Sequence, residues 1–463
     1  RGGDRLGAVP GVRAAMTDVR NPATGEVVAT VPALDAGQTD AAIDRAARAF
    51  ATWRAVAPGD RARLLRRFAE VVDAHVEELA QLEVRNAGHT IGNARWEAGN
   101  VRDVLTYYSA APERLSGRQI PVTGGVDLTF HEPLGVVGVI VPWNFPMPIA
   151  GWAFGPALAA GNTVVLKPAE TTPLSALLFC DVLRQAELPP GVVNIVTGDG
   201  STGAALVTHD GVDKIAFTGS TEVGKAIQRE LAGTGKKLTL ELGGKAANVI
   251  FDDAALDQAV EGIVNGIYFN QGHVCCAGSR LLVQESIYEQ LIAKLKRRLS
   301  TLRVGDPLDK NTDVGAINSK MQLEKIEELV AAGKEEGAEI YQPPCTLPET
   351  GYWFAPTVFT NVAQSYRIAQ EEIFGPVLSV LTFRTPDEAV EKANNTMYGL
   401  SAGVWTEKGS RILWMAQRLR AGVVWANTYN RFDPTSPFGG YRESGFGREG
   451  GLHGLEPYLR FDE

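Results

Sequence analysis

The amino-acid sequence predicts an α/β fold built on two open, mostly parallel β-sheets. Short runs rich in valine and isoleucine alternate with helical patterns between residues 135 and 242, and a second alternation of this kind follows residue 252. Strands that are apolar on both faces are typical of parallel sheets covered by helices on both sides. The chain has 463 residues, of which 44% are hydrophobic and 21% charged, which is enough for two or three cooperating domains.

The first part of the chain carries alanine-rich amphipathic patterns. Apolar residues recur three and four positions apart over residues 39–50 and 61–83, which predicts helices that pack one face on a sheet. Residues 119–131 follow, with partial alternation of polar and apolar residues around Gly124 and Gly125. Alternation on both sides of a glycine pair indicates a β-hairpin.

The strands of the first sheet are predicted from a series of apolar runs. These runs cover residues 135–141, 162–166, 191–196, 214–219 and 237–242. A helix follows the second run, because Thr172 is a suitable cap and Pro173 suits the first helical position. Cys180 falls in this helix and is most simply a core residue.

The second alternation predicts a second α/β domain. Helical patterns cover residues 256–268, 287–302 and 321–333, and an apolar strand begins at Gly375.

Charge and cysteine usage exclude several classes of protein. The 45 Lys+Arg against 54 Asp+Glu give a net charge of −9 that is spread along the chain, so no nucleic-acid partner is expected. The cysteines are Cys180, Cys275, Cys276 and Cys345, without the paired spacing of a zinc site or a disulfide framework. We therefore expect a reducing cytoplasm and no metal.

An uncharged stretch from residue 133 to 166 is longer than the roughly 20 residues that a membrane-spanning helix needs. Prolines interrupt it at Pro142, Pro146, Pro148 and Pro156. Because these prolines would remove several helix hydrogen bonds, a buried strand, turn, helix and second strand is the better prediction, and no membrane contact is expected.

The string FNQGHVCCAGSR, which begins at Phe269, presents two adjacent cysteines in a loop of small residues. A thiol is a good nucleophile, because a few per cent of it is thiolate at neutral pH. On this string alone, however, a buried structural role for Cys275 and Cys276 is the default, since free cysteines are among the most buried residues.

Two further strings carry candidate catalytic groups. Glu241 lies in an apolar strand that ends at a glycine pair, where desolvation should raise its pKa and suit it to act as a general base. The alternative is that Glu241 pairs with Lys245 and only holds the turn. Asn144, in VPWNFP, is placed to donate to a developing oxyanion, although asparagine near prolines is usually a turn residue.

The signals for a cofactor are distributed along the chain. KIAFTGSTEVGKAI reads as a strand, a glycine turn from Gly219 to Gly224 and a helix, which directs N–H groups at a phosphate. Its spacing is not that of the dinucleotide fingerprint, so the pattern alone is weak. KPAE adds Lys167 and Glu170 at a strand end, which could bind ribose hydroxyls or only solvate a loop. EEIFGPV adds a carboxylate beside an aromatic ring.

Taken together, these strings resemble the aldehyde dehydrogenase superfamily. VPWNFP, KPAE, FTGSTEVG, LELGGK, FNQGHVCCAGSR, EEIFGPV and SPFGGYRESGFGRE occur in the family's order, and the resemblance runs from Asn21 to the end of the chain. It is closest to the hydrolytic, NAD-dependent branch. It implies two Rossmann-type open-sheet α/β domains and a small β oligomerisation element. The implied NAD-binding domain comprises residues 1–114 and 134–243, the catalytic domain residues 244–443, and the oligomerisation element residues 115–133 and 444–463.

The resemblance implies a role for each catalytic residue. Cys275 attacks the aldehyde, Asn144 and the Cys275 N–H hold the oxyanion, and Glu241 activates the water that hydrolyses the thioester. Relatives that pass the acyl group to coenzyme A generally lack this glutamate, so hydrolysis is expected. A structural or binding protein that has lost activity, and an esterase using the same thiol, are the alternatives.

The resemblance also implies which residues contact NAD and substrate. The implied NAD-binding residues are Trp143, Lys167, Glu170, Gly200, Gly219, Ser220, Gly224, Leu242, Glu372 and Phe374. A carboxylate at Glu170 would repel the extra phosphate of NADP, so NAD is the expected cofactor. The implied substrate pocket is lined by Phe145, Trp152, Val274, Cys276, Phe432 and Phe438. Its composition favours apolar or aromatic aldehydes, although Arg431 would suit an acidic substrate. A homodimer or homotetramer is expected, and the short chain end after EPYLR weakens the case for the tetramer.

Overall fold

The computed structural model describes residues 15–461, in which 19 strands and 14 α-helices alternate. The chain begins with strands and helices bounded as β1 (Ala15–Arg20), β2 (Val27–Ala33), α1 (Ala36–Trp53), α2 (Pro58–Ala74), α3 (Val76–Ala87) and α4 (Ile91–Ser109). Short strands follow as β3 (Gln119–Val122), β4 (Gly125–Leu128) and β5 (His131–Pro133).

The first large sheet has six strands. Its elements follow in the chain as β6 (Val136–Ile140), α5 (Pro146–Ala160), β7 (Thr163–Lys167), α6 (Leu174–Gln185), β8 (Val193–Ile195), α7 (Gly200–Thr208), β9 (Lys214–Thr218), α8 (Thr221–Leu231) and β10 (Lys237–Glu241). These strands are parallel to their neighbours, in the order β10-β9-β6-β7-β8. The predicted alternation of strands and helices is therefore observed.

The second large sheet has seven strands. Helices separate most of these strands along the chain. Its elements are β11 (Ala247–Ile250), α9 (Leu256–Ile267), β12 (Arg280–Gln284), α10 (Tyr288–Leu299), α11 (Lys320–Glu335), β13 (Glu339–Tyr341), β14 (Thr357–Thr360), α12 (Arg367–Gln370), β15 (Val377–Phe383), α13 (Pro386–Asn394), β16 (Ser401–Trp405), α14 (Gly409–Arg418) and β17 (Val423–Ala426). The order is β13-β14-β15-β12-β11-β16-β17, and only the edge pair β13–β14 is antiparallel.

The end of the chain returns to the first half of the molecule. Strand β18 (Gly445–Phe446) adds to the edge of the first sheet beside β10, and β19 (Leu459–Phe461) pairs with β5. The antiparallel pair β3–β4 confirms the predicted hairpin around Gly124 and Gly125. The domain limits drawn from the sequence stay a prediction.

Two local predictions about helices were wrong. The pattern over residues 61–83 is divided between α2 and α3, because His75 leaves the helical conformation at φ −106° and ψ 8°. Thr172 does not cap α6; its hydroxyl has no hydrogen-bond partner among the described residues. The N–H of Leu174 donates instead to Asn86 Oδ1 at 3.3 Å, so a residue distant in sequence supplies the cap.

The uncharged stretch folds as predicted, with β6, α5 and β7 forming a strand, helix and strand in the core. Pro146 begins α5 in the first helical turn, where its missing N–H costs no hydrogen bond. Among residues 15–461, no helix combines the length and the apolar character that crossing a membrane requires.

Candidate active site

The loop that carries Cys275 is held in a strained conformation. Asn270 and Gln271, just before it, have φ values of 49° and 56°, in the left-handed region that non-glycine residues rarely adopt. Both side chains are buried and hydrogen-bonded: Gln271 Nε2 donates to Ala316 O at 3.2 Å, and Asn270 Nδ2 donates to Asn144 O at 2.8 Å. Such contacts fix an unfavourable backbone conformation, which is typical of active-site loops.

Asn144 lies beside this loop, beyond the carboxyl end of β6. Its side chain is 4% exposed, and Nδ2 donates to His273 O at 2.9 Å. A side-chain amide has two N–H groups, so one remains for a second acceptor. The structure therefore brings the predicted oxyanion donor to the chain segment that carries the predicted nucleophile.

Cys275 and Cys276 differ in their surroundings. The Cys275 side chain is half-buried, whereas Cys276 is fully buried and its thiol lies 3.7 Å from Asn430 Oδ1. Tyr429 and Ser401 both donate hydroxyl hydrogen bonds to the Cys276 carbonyl. The neighbouring Cys276 thiol and burial raise the pKa of Cys275 well above its usual value, so the resting thiol is protonated.

Glu241 is the last residue of β10 and carries a buried carboxyl group. Both oxygens lack hydrogen bonds within the described residues, although the side chain is only 4% exposed. Burial raises the pKa of Glu241 well above its usual value, and the charges of Glu449 and Cys275 raise it further. The alternative pairing with Lys245 is not observed, since Lys245 Nζ also lacks a hydrogen-bond partner.

Two further ionisable residues, Glu449 and Lys214, interact electrostatically, and Glu449 also interacts with Glu241. Burial raises the pKa of Glu449 to about 7, and Lys214 opposes this rise. Lys214 is fully buried, and its amine donates to Thr239 Oγ1 at 2.6 Å. The sequence-based prediction missed both residues, although Glu449 ends the SPFGGYRESGFGRE string.

The predicted adenosine and phosphate contacts lie at strand ends of the first sheet. Lys167 ends β7, and its Nζ is 3.5 Å from Glu170 Oε2. Ser220 caps α8, with Oγ accepting from Val223 N at 3.3 Å. The N–H of Gly219 donates to Glu241 O at 3.0 Å, so this glycine is held by the sheet.

Two glycines and a leucine complete this region. A Cβ at Gly224 would lie 2.5 Å from Leu242 Cδ2, so only glycine lets α8 pack this closely on the sheet. Gly200 is exposed and begins α7 after the cap Asp199. A helix N-terminus at the carboxyl edge of a parallel sheet, beside a lysine and a carboxylate, fits a dinucleotide.

The rings of Trp143, His273 and Phe374 form a cluster. Trp143 follows β6 of the first sheet, whereas His273 and Phe374 precede strands β12 and β15 of the second. Trp143 meets His273 edge to face at a centroid distance of 4.8 Å and Phe374 at 5.3 Å. Phe374 has φ of 56°, a strained conformation for a bulky residue. The neighbouring Glu372 accepts a hydrogen bond from Gly244 N at 2.9 Å, and burial raises its pKa to about 7.

The residues predicted to line the substrate pocket divide into two groups. Phe145, Phe432 and Phe438 belong to one aromatic cluster with Trp96 and Phe269, two rings that the sequence-based prediction missed.

Two other predicted pocket residues, Val274 and Trp152, lie in different hydrophobic cores. Val274 is buried in the same hydrophobic core as Phe145, whereas Trp152 belongs to the core of α2, α4 and α5. Its Nε1 donates to Asn100 Oδ1 at 2.9 Å. Arg431 is exposed.

Comparison with known proteins identifies the family. The model of the aldehyde dehydrogenase family matches residues 10–462. The chain belongs to the aldehyde dehydrogenase family. Members of this family oxidise aldehydes, and the resemblance carried by the seven strings is confirmed.

Relatives of this aldehyde dehydrogenase match over nearly the whole chain. Retinal dehydrogenase 2 of Rattus norvegicus is 47% identical over 95% of this chain and 86% of its own length. The mitochondrial aldehyde dehydrogenase of Homo sapiens is 44% identical over the same shares. The NAD+ complex of an aldehyde dehydrogenase from Bacillus cereus has a TM-score of 0.95 and 42% identity, covering 97% of this chain and 92% of its own. The predicted fold class is thereby confirmed.

Proposed function

We propose that Cys275, Asn144 and Glu241 carry out the NAD-dependent oxidation of an aldehyde to a carboxylic acid by this aldehyde dehydrogenase, with water as the acyl acceptor. The observation that carries the assignment is a buried carboxylate, Glu241, whose two oxygens have no partner among the described residues. A carboxylate left in this state is costly unless a substrate or water uses it.

The first step forms a bond between Cys275 Sγ and the aldehyde carbon. The resting thiol is protonated, so its S–H proton passes to water as the S–C bond forms and the C=O π electrons move to the oxygen. The negative charge that develops on the aldehyde oxygen is stabilised by the remaining Asn144 amide N–H and by the Cys275 backbone N–H. One such donor is worth about 3 to 4 kcal/mol in the transition state.

When bound, NAD supplies the acceptor for the hydride that leaves the carbon atom. The residues that would hold it are Lys167, Glu170, Gly200, Gly219, Ser220, Gly224 and Leu242 for the adenosine and phosphates, with Trp143, Glu372 and Phe374 for the nicotinamide end. Glu170 near the ribose would repel a 2′-phosphate. The ratio of kcat/KM for NAD to that for NADP should therefore exceed one, and a larger kcat/KM with NADP would contradict this assignment.

Glu241 acts in the last step, in which water hydrolyses the thioester. Its raised pKa brings a carboxylate closer to the pH at which a general base is most effective. Because the base must be deprotonated, the hydrolysis rate should rise as the pH rises through this pKa. Glu449, which raises the pKa of Glu241, is placed to tune this rise.

The substrate class that the site favours is an apolar or aromatic aldehyde. Phe145, Phe432 and Phe438, joined by Trp96 and Phe269, form a wall of aromatic rings. The name of the related retinal dehydrogenase agrees with an apolar substrate.

Absorbance of reduced nicotinamide, with a panel of aldehydes matched in length, tests both the activity and the class. Apolar members should give a higher kcat/KM than a carboxylate-bearing semialdehyde. A higher kcat/KM for the semialdehyde would instead indicate that the exposed Arg431 binds an acidic substrate. A folded protein that binds NAD but oxidises no member of the panel would contradict the proposed activity.

We further propose that the chain forms a homo-oligomer through the β3–β4 hairpin and works in the cytoplasm. Apolar side chains on and next to the hairpin are exposed, among them Val126 at 70%, Leu128 at 54% and Phe130 at 63%. Exposed apolar patches of this kind mark contact surfaces. The four free cysteines suit a reducing compartment.

A further inference from the structure

A group of three buried ionisable residues lies outside the site described above. Glu83 is in the last turns of α3, His89 follows that helix, and Glu97 is in α4. All three side chains are 0% exposed. One potential ligand atom from each lies within 4.8 Å of the other two, and no other group of this kind occurs in residues 15–461.

The group is incompletely satisfied by the protein. His89 Nδ1 is 2.5 Å from Glu97 Oε1, and Glu83 Oε1 accepts from Asn86 Nδ2 at 3.2 Å. Glu83 Oε2, Glu97 Oε2 and His89 Nε2 have no hydrogen-bond partner within the described part of the chain. Buried polar atoms are normally paired, so the unpaired oxygens of Glu83 and Glu97 in one cluster point to a missing ligand.

The chemistry of the three side chains selects that ligand. Neither Glu83 nor Glu97 has a lysine or arginine ion-pair partner in residues 15–461. Two buried carboxylates without a cation are costly, whereas two carboxylates and an imidazole around a divalent ion make a neutral site with three protein ligands. Bonds of about 2.0 to 2.2 Å to zinc place ligand atoms up to about 4 Å apart, so a small side-chain adjustment suffices.

We propose that Glu83, His89 and Glu97 form a binding site for one divalent transition-metal ion, with zinc as its representative. The site is structural, because all three side chains are closed to solvent. Because none of its ligands is a cysteine, the spacing of the cysteines in the sequence could not reveal this site. A water molecule or the hydroxyl of Ser175, which interacts with the Glu83 carboxyl group, supplies a further ligand.

The site is connected to the catalytic loop. The ring of His89 packs against Phe145, next to Asn144, at a centroid distance of 6.2 Å. The adjacent Gly88 carbonyl accepts hydrogen bonds from Ala316 N at 3.1 Å and Gln271 Nε2 at 3.4 Å. A metal ion that fixes the α3–α4 connection therefore braces the strained residues before Cys275.

Zinc content and thermal stability after refolding test the proposal. The full chain carrying Cys275→Ser, which removes the proposed nucleophilic thiol as a competing ligand, is unfolded with EDTA and refolded with ZnCl2 or with EDTA. Refolding with ZnCl2 should give one zinc ion per chain by elemental mass spectrometry. The Tm should then exceed that of the EDTA sample by about 3 °C, as for a ligand at a hundred times its Kd in a protein of this length.

Variants locate the ion. Glu83→Gln and Glu97→Gln keep the side-chain size and should weaken zinc binding by at least about ten-fold, while Glu78→Gln, an exposed change on the same helix, should not. If a glutamine variant fails to fold, Co2+ bound to the parent provides the readout, and its visible absorption should disappear when one equivalent of zinc is added.

Two results would overturn the site. One is a parent protein that retains no zinc and has the same Tm after both refolding procedures, which would mean that the two carboxyl groups are simply protonated. The other is full zinc retention by both glutamine variants, which would place the ion elsewhere. Neither result depends on the assignment of Cys275 or Glu241.

Discussion

Replacing Glu241 by glutamine should separate the two halves of the reaction. The substitution keeps the shape of the side chain and removes only its ability to take a proton. In the structure both carboxylate oxygens lack partners, so no hydrogen bond is lost by the change. Burial raises the pKa of Glu241 and so favours its neutral form, which glutamine resembles in shape and charge. The free energy of unfolding should therefore change by less than about 1 kcal/mol.

The effect on catalysis should be much larger. Loss of a general base slows a proton-transfer step by roughly 10²- to 10⁴-fold, which corresponds to about 2.7 to 5.4 kcal/mol in the barrier to thioester hydrolysis. Hydride transfer does not need this base. A stopped-flow measurement at the reduced nicotinamide band should show a burst of about one equivalent per active chain, followed by a slow steady state.

Mass spectrometry of the stalled protein should find the acyl group on Cys275. Glu443→Gln serves as the matched control, because Glu443 lies in the neighbouring loop and pairs with Lys225 away from the cysteine. The control should turn over at the parent rate. Steady-state turnover by Glu241→Gln close to that of the parent, or an acyl group on any other residue, would refute the roles assigned to Glu241 and Cys275.

The remaining predictions address the surroundings of these groups. Asn144→Ala should lower kcat/KM by about 10²- to 10³-fold, while NAD binding measured by calorimetry should be unchanged. A smaller loss of kcat/KM would show that the Asn144 amide does not stabilise the oxyanion. Glu449→Gln removes a negative charge that raises the pKa of Glu241, so the rise of kcat with pH should move to lower pH, and an unmoved profile would show that the two carboxylates do not interact. Gly439→Ala would place a Cβ 2.7 Å from Glu241 Oε1 and should slow thioester hydrolysis more than it weakens NAD binding. A hydrolysis rate equal to that of the parent would mean that the loop around residue 439 moves to accommodate the methyl group. Val126→Asp on the hairpin should reduce the molar mass in light scattering, and an unchanged mass would place the subunit contact elsewhere.

Local patterns in the sequence were sufficient to predict much of the fold and to name the candidate catalytic groups. Parallel strands that are buried on both faces are apolar along their whole length, so the strands from β6 to β10 could be recognised without any knowledge of their neighbours. Cys275, Glu241 and Asn144 each stand in a short string whose chemistry and resemblance could be read locally. The roles of these residues, and the NAD and substrate contacts assigned with them, stay predictions until the variants are measured.

The tertiary structure decided what depends on contacts between distant segments. Glu449 influences Glu241 across the chain because β18 returns beside β10, and Trp96 and Phe269 contact the rings of the predicted substrate pocket from two separate helical regions. The cap of α6 comes from Asn86 in an earlier helix. Burial and electrostatic coupling arise from which segments pack together, a property that no single stretch of sequence contains. The sequence by itself therefore determined the type and order of the elements and the chemical groups, while packing alone determined their pKa values, their partners and the buried cluster of Glu83, His89 and Glu97.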